Sequence, residues 1–358
     1  VHAATAAEVE ARVVEVLRSG RWVGGPVVAE AEAALAARAG VAHAVGLNSG
    51  TDALVLGLQA LGIGPGDEVI VPAVSFFASA SAVVLAGARP VVVDVLPDRP
   101  VLDPAAVRAA WSPAVKAVLP VHLFGMRPPP LGALPGGAVV FDDAAQAAGA
   151  RPPLGEGVAA ALSFYPTKVL AAAGDGGAFL TDDPALAERV RALGHHGGAG
   201  FPEVAGQVGR NSRLDAVQAA VLLGRLPDLD RRLARRRAVA ERVQGALGSA
   251  VLVPENGRPV SVLALCHPRA EAVRRALQLA DIEPAVYYAR PLSEEPSIRA
   301  RGRITACPQA ARFCRSTVAL PCHAGLSDAD VDRVIAVVGE ALEGAPRDAP
   351  LPRPGRLG

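Results

Sequence analysis

Between about residue 40 and residue 245, short apolar runs alternate with amphipathic stretches of helical period, and this alternation restricts the chain more than any other feature. Strands that read as continuous apolar runs are buried on both faces, and parallel strands joined by helical crossovers are the usual way to bury them. The pattern predicts strands over Glu68 to Val71, Pro90 to Val95, Lys116 to Val121, Ala138 to Phe141, Ala160 to Phe164 and Gly177 to Thr181. Helices are expected over Thr5 to Arg18, Thr51 to Leu61, Phe77 to Ala86, Asp103 to Ala110, Pro184 to Leu193 and Leu214 to Leu223. The fold class is therefore α/β, with a large, mainly parallel α/β/α domain.

After an arginine-rich helix over Asp230 to Leu247 the pattern restarts, with a strand over Ser261 to Leu265 and helices over Ala270 to Ala280 and Ser327 to Leu342. The expected division is a large domain with an N-terminal helix over 1–245, a smaller C-terminal α+β domain over 246–345 and a flexible tail over 346–358. The run Arg231, Arg232, Arg235, Arg236, Arg237 reads as a solvated helix face, with Glu241 one turn on.

Charge and cysteine content narrow the function. Thirty-six basic against thirty-five acidic side chains give no field that would draw nucleic acid or an anionic membrane, which leaves small molecules as partners. The greasiest stretch, Ala82 to Val95, is interrupted by Arg89 and Pro90, and the first residues carry no basic segment followed by an apolar one, so a cytosolic location is expected. Cys266, Cys307, Cys314 and Cys322 lack zinc-module spacing, so no metal is assigned and buried reduced thiols are expected. The only lysines are Lys116 and Lys168, which restricts where imine chemistry could occur.

Three segments can carry chemistry. Asn48-Ser49-Gly50-Thr51-Asp52 places small polar residues before a helical period, so it can cap a helix or hold a phosphate on its N-terminal N–H groups. Asp142 and Asp143 end a buried strand, either capping the next helix or facing a ligand at the sheet's C-terminal edge. Ser163-Phe164-Tyr165-Pro166-Thr167-Lys168 sets a lysine just past another strand, where it is either solvated or desolvated enough to serve as an amine nucleophile. A phosphate cup, a carboxylate and an amine are together the three contacts that pyridoxal phosphate requires. The turn Gly62-Ile63-Gly64-Pro65-Gly66-Asp67 precedes a strand and holds a proline, which sets aside a dinucleotide fingerprint.

Ser49-Gly50-Thr51-Asp52-Ala53-Leu54, Gly66-Asp67-Glu68-Val69-Ile70-Val71-Pro72, Pro120-Val121-His122-Leu123-Phe124-Gly125, Asp143-Ala144-Ala145-Gln146, Ser163-Phe164-Tyr165-Pro166-Thr167-Lys168, Gly174-Asp175-Gly176-Gly177 and Asn211-Ser212-Arg213-Leu214-Asp215 resemble the DegT/StrS-type aminotransferases, which have the type-I pyridoxal-phosphate fold. The resemblance runs from Gly24 to about Leu226, with an echo at Gly325-Leu326-Ser327-Asp328. It implies that Lys168 links to the cofactor and later moves the proton, and that Asp143 rather than Asp142 meets the pyridine nitrogen. Phe76 would stack on the ring, with Gln146 near the ring hydroxyl. Gly50, Thr51, Asp52 through its backbone, and Ser163 would hold the phosphate, joined by Asn211 of a second subunit. The implied assembly is a homodimer with shared sites.

The implied reaction moves an amino group from glutamate, through the pyridoxamine form, to a nucleotide-linked (dTDP- or UDP-) keto-deoxysugar in natural-product biosynthesis. Gln146 resembles members acting at C-3, and Arg213 or Arg290 would receive the diphosphate. Alternatives are a keto-cyclitol aminotransferase and a non-catalytic regulator; related sugar dehydratases carry histidine where Lys168 stands. The chain departs from the family on the substrate side, in the loop Phe201 to Arg210, in Val286 to Leu292, and in the strand Ser261 to Leu265, which lacks a histidine.

Overall fold

The structure is a computed structural model that describes residues 6–150, 157–198 and 206–344. The start of the first expected helix, Phe201 to Ala205 of the substrate-side loop, and the expected tail lie outside the described residues. Helices α1 (Ala6–Ser19) and α2 (Pro26–Ala39) precede strand β1 (His43–Leu47). Next come α3 (Gly50–Ala60), β2 (Glu68–Pro72), α4 (Phe77–Leu85), β3 (Arg89–Val93), α5 (Pro104–Ala109) and β4 (Val115–Val118). They are followed by β5 (Val139–Asp143), β6 (Ala159–Ser163), β7 (Gly177–Thr181), α6 (Pro184–Gly194), α7 (Ala216–Arg225) and α8 (Leu229–Leu247). The last part holds β8 (Val251–Leu252), β9 (Leu263–Cys266), α9 (Ala270–Leu279), α10 (Pro296–Arg299), β10 (Arg303–Ile304), α11 (Pro308–Ser316), β11 (Thr317–Leu320) and α12 (Asp328–Glu343).

Eight strands form the main sheet in the order β1-β7-β6-β5-β4-β2-β3-β10. Its pairs from β6 through β10 are parallel, while β7 runs antiparallel to both β6 and β1. Successive residues face opposite sides of the sheet. Phe141, Ala161 and Phe179 therefore enter one core with Leu54, Leu56 and Leu58, and Leu162 and Leu180 enter another with Leu35 and Leu222. Each fully buried leucine or phenylalanine contributes about 1.5–3 kcal/mol relative to exposure. The packing is tight enough that a Cβ on Gly57 would sit 2.5 Å from the Phe141 ring.

A second sheet, β11-β9-β8, is antiparallel. Its core takes Val239, Ala240 and Val243 from α8, Val273 and Leu277 from α9, and Val331, Val334 and Val338 from α12. The fold is thus the expected large mainly parallel α/β domain accompanied by a smaller α+β unit.

The arginine run on α8 is not a solvated face. Only Arg231 is exposed, paired with Asp228. Arg232 donates to the Val169 carbonyl, Arg235 to Leu326, Arg236 to Val260 and Ser261, and Arg237 to Pro254, Glu255 and Arg258. Backbone carbonyls left unpaired by loops are costly to bury, and the guanidinium forks satisfy several at once. The cysteines are free; Cys314 and Cys322 are buried and Cys266 and Cys307 half-buried. Burial pushes the Cys314 thiol up to about 12 and the Cys307 thiol up to about 11.

The C-terminal part returns to the main sheet through Glu68, which is 7% exposed. Its carboxylate accepts from Arg303 at 3.1 and 2.7 Å and from the Ser112 hydroxyl at 2.7 Å. The Arg303 hydrogen bonds hold the Glu68 carboxyl below its ordinary value, against the opposing effect of burial. Glu68→Gln should cost about 1.5–3 kcal/mol in chemical denaturation, the worth of charge-assisted hydrogen bonds. A depressed carboxyl stabilises the fold above its unfolded value and loses that contribution as pH falls through the folded one. The gap between wild type and Glu68→Gln should thus be constant near neutrality and close below pH 4.5; a gap that persists in acid would contradict the ion-pair account.

Candidate active site

The C-terminal ends of β2, β4, β5 and β6 converge, as binding edges of open parallel sheets do. They deliver Ser75 and Phe76 after β2, His122 after β4, Asp143 at the end of β5, Ser163 at the end of β6 and Lys168 after it.

The two carboxylates of β5 part company because neighbouring strand residues point to opposite faces. Asp142 turns away: its Oδ1 meets His122 Nε2 at 2.8 Å, and its Oδ2 accepts the Gly157 N–H at 3.1 Å. Arg258, itself buried, donates to His122 Nδ1 and to the Gly125 carbonyl. A guanidinium can only donate, so His122 Nδ1 accepts and its Nε2–H points at Asp142. Asp143 faces the other way and is 4% exposed. Its Oδ2 accepts the Ser79 hydroxyl at 2.6 Å, Ser79 is 2.6 Å from Ser75 Oγ, and its Oδ1 accepts the Ala145 N–H at 3.2 Å.

Lys168 is half-buried, its backbone N–H closing a turn onto the Tyr165 carbonyl at 2.8 Å. Burial lowers the lysine's pKa from its ordinary value, and the nearby Asp143 carboxylate opposes that shift. A desolvated lysine in such surroundings is an amine within reach of its neutral, nucleophilic form. Tyr288, from the C-terminal part, is kept protonated by its burial and by the same carboxylate. Its ring lies 6.2 Å from that of Phe76, which is 60% exposed although β2 before it is buried throughout. Such a ring suits a planar ligand laid over it.

Helix α3 begins in the same corner. Ser49 caps it, accepting the Asp52 N–H on Oγ at 3.1 Å, while the Ser49 carbonyl takes the Ala53 N–H. The N–H groups of Gly50 and Thr51 precede these and have no acceptor within the helix. A Cβ on Gly50 would meet Ser163 Cβ at 2.8 Å, and one on Gly177 would meet the Ser49 carbonyl oxygen at 2.4 Å. The two glycines thus let the ends of β6 and β7 close around the helix start, giving an anion cup beside Ser163 and Thr51.

Gln146 lies between the two units: its Oε1 accepts the Phe124 N–H at 2.6 Å, and its Nε2 reaches the Tyr288 hydroxyl at 3.5 Å. The turn it grips has Gly125 at φ 94°, where a side chain would collide with the Pro259 carbonyl. Asn211 is exposed, its backbone bridged to His195. Arg213 lines a cavity of about 130 Å³ with Glu32, Arg191 and His195, and Arg290 Nε lies 3.6 Å from Glu295. The structure therefore brings Lys168, Asp143, Phe76 and Gln146 together beside the cup of Gly50, Thr51, Asp52 and Ser163. Asn211 does not face this group from within the same chain. Ser75, Ser79 and Tyr288 join the site without any mark in their local sequence.

An amine beside a buried carboxylate, an exposed aromatic face and an anion cup match the aldehyde, ring nitrogen, ring and phosphate of pyridoxal phosphate. Fold and site together define a pyridoxal-phosphate-dependent aminotransferase. The chain belongs to the DegT/DnrJ/EryC1/StrS aminotransferase family, whose model matches residues 4–339. It is 40% identical over 353 residues to the dTDP-3-amino-3,4,6-trideoxy-alpha-D-glucose transaminase of Streptomyces venezuelae, covering 94% of this chain and 93% of that one. The X-ray crystal structure of S. venezuelae DesV in complex with ketimine intermediate is similar at a TM-score of 0.91 and 39% identity, over 96% of this chain and 97% of that one. Bacillus subtilis ntda with bound cofactor pmp is similar at 0.87 and 26% identity, over 96% and 83%. No helix of the described residues is long and apolar enough to cross a membrane.

Proposed function

We propose that this chain transfers the amino group of glutamate to the C-3 keto group of a nucleotide-linked (dTDP- or UDP-) keto-deoxysugar in natural-product sugar biosynthesis. We place it in the cytoplasm as a homodimer with shared sites. The observation that carries the chemistry is the desolvated Lys168 amine facing Asp143. The sugar class is supported by the relative named as a dTDP-3-amino-trideoxyglucose transaminase.

Pyridoxal phosphate, when bound, supplies an aldehyde that carries nitrogen and a ring that withdraws electrons. Lys168 Nζ would hold this group covalently and, as a free amine, would be the acid and base that moves a proton at the site. Asp143 would hold a proton on the pyridine nitrogen, and Ser79 fixes the carboxylate so that it need not reorient. Gly50, Thr51, Asp52 through its backbone, and Ser163 would hold the phosphate, with Asn211 entering from the second subunit. Phe76 would cover the ring, and the buried Tyr288 lies close enough to Asp143 to feel its charge. With Oε1 committed to Phe124 and one Nε2 hydrogen to Tyr288, the second Nε2 hydrogen of Gln146 would be left to meet the ring hydroxyl or the sugar.

The test is amino transfer from glutamate by the purified protein to a panel of nucleotide-linked ketoses and free keto-cyclitols. Turnover is expected with a 3-keto dTDP- or UDP-sugar, weakening with added salt because the diphosphate meets arginine. Turnover of a free keto-cyclitol alone would reassign the substrate, and none with any acceptor or donor would favour a regulator.

A further inference from the structure

We infer that Arg210 is a positioning residue for the phosphate end of the cofactor, acting through the Asp52 carboxylate; the inference rests on the cofactor placement proposed above. Asp52 lies in the first turn of α3, and its side chain is only 15% exposed. On its own that carboxylate is favourable, since it lies in the first turn, at the positive end of the helix. Toward a phosphate on the N–H groups of Gly50 and Thr51 it is a like charge a few ångströms away, unfavourable unless a cation neutralises it. Arg210 Nη1 donates to Asp52 Oδ1 at 3.0 Å and does so from the same chain.

The backbone around Arg210 fixes this placement. Arg210 N–H donates to the Leu193 carbonyl at 2.8 Å, and its own carbonyl accepts the His196 N–H at 3.1 Å. Two residues on, Ser212 Oγ donates to Asn48 Oδ1 at 2.9 Å, next to the Ser49 cap. Arg210 and Ser212 therefore grip the start of their own α3 while Asn211, between them, is exposed, as period-two alternation in an extended stem requires. Gly209 admits no side chain here, because a Cβ would lie 2.4 Å from the Leu193 carbonyl oxygen. The stem cannot slide by one residue without exchanging the inward arginine for asparagine.

The test compares equilibrium dialysis of the full-length apo-protein with pyridoxal phosphate and with pyridoxal, which lacks the phosphate. In wild type the phosphorylated form should be strongly preferred. Arg210→Met should reduce that preference about tenfold or more, the size of one lost charge-assisted contact, while leaving pyridoxal uptake unchanged. Arg210→Lys should keep most of the preference, and Asp52→Asn in the Arg210→Met background should restore it. Asp52→Asn alone should leave the preference equal or raised, which keeps the idea exposed if Arg210→Met does not fold. An unchanged preference in Arg210→Met, a lowered one in Asp52→Asn, or equal losses for both ligands would overturn the role of Arg210. Wild type that fails to prefer the phosphorylated form would instead overturn the cofactor placement.

Discussion

Lys168→Met should lower amino transfer by about 10⁴-fold or more, because in the proposed role the residue supplies both the covalent link and the proton carrier, and a positioned acid–base group alone is worth 10²–10⁴. The variant should still bind the cofactor, since carboxylate, cup and aromatic face are untouched. Absorbance would then report a free aldehyde instead of a linked one, and borohydride reduction followed by peptide mapping should label Lys168 in wild type only. The wild-type amine has its own pH signature. Burial lowers its pKa from 10.5, so the rate of covalent uptake by the apo-protein should rise with pH and level off below 10.5. Only the neutral amine attacks, and its fraction saturates above the folded pKa. Label on Lys116, or a rate still climbing past pH 10.5, would remove the central assignment.

Asp143→Asn should lower turnover by roughly 10²–10³-fold, the usual loss when one preorganised charged partner is removed from a dry site. An amide keeps the size and can still accept the Ser79 hydroxyl, but it cannot hold a proton on a pyridine nitrogen. Cofactor uptake should fall far less than turnover, and the bound chromophore should titrate like an unprotonated pyridine. Asp142→Asn is the control. That carboxylate faces His122, so its loss should destabilise the fold without changing the titration of the chromophore. A chromophore change in Asp142→Asn and none in Asp143→Asn would reverse the assignment.

The fold was legible where burial and punctuation agree. Gly177–Thr181 forms the strand its apolar run predicts, and α3 starts where Ser49 offers a cap. Seven elements have no counterpart among the expected ones: α2, β1, β8, α10, β10, α11 and β11. Helix α2 carries its start and stop in Pro26 and in Gly40 at φ 65°, but its alanine-rich body gives a weak apolar period. Strand β1 is an edge strand whose partner, β7, lies more than a hundred residues on, so nothing local marks it. The same limit applies to the site. Strand parity separates Asp142 from Asp143 without saying which faces the ligand; that depends on the pairing of β5 with its neighbours. Ser79, Tyr288 and Arg210 reach the site only through tertiary packing, as do the carbonyls that occupy the α8 arginines.

The sheet order also sets a schedule for synthesis. The five neighbouring strands β3, β2, β4, β5 and β6 can pair as they leave the ribosome, but both outer positions are filled by distant chain. Strand β1 must wait for β7, which begins at Gly177, and β3 presents a bare edge until Arg303 and Ile304 emerge. Contacts of such long sequence separation form slowly, and an uncovered strand edge recruits other chains. Nascent chains shorter than about 300 residues therefore expose the edge beside β3, where pairing with another chain competes with the docking of β10.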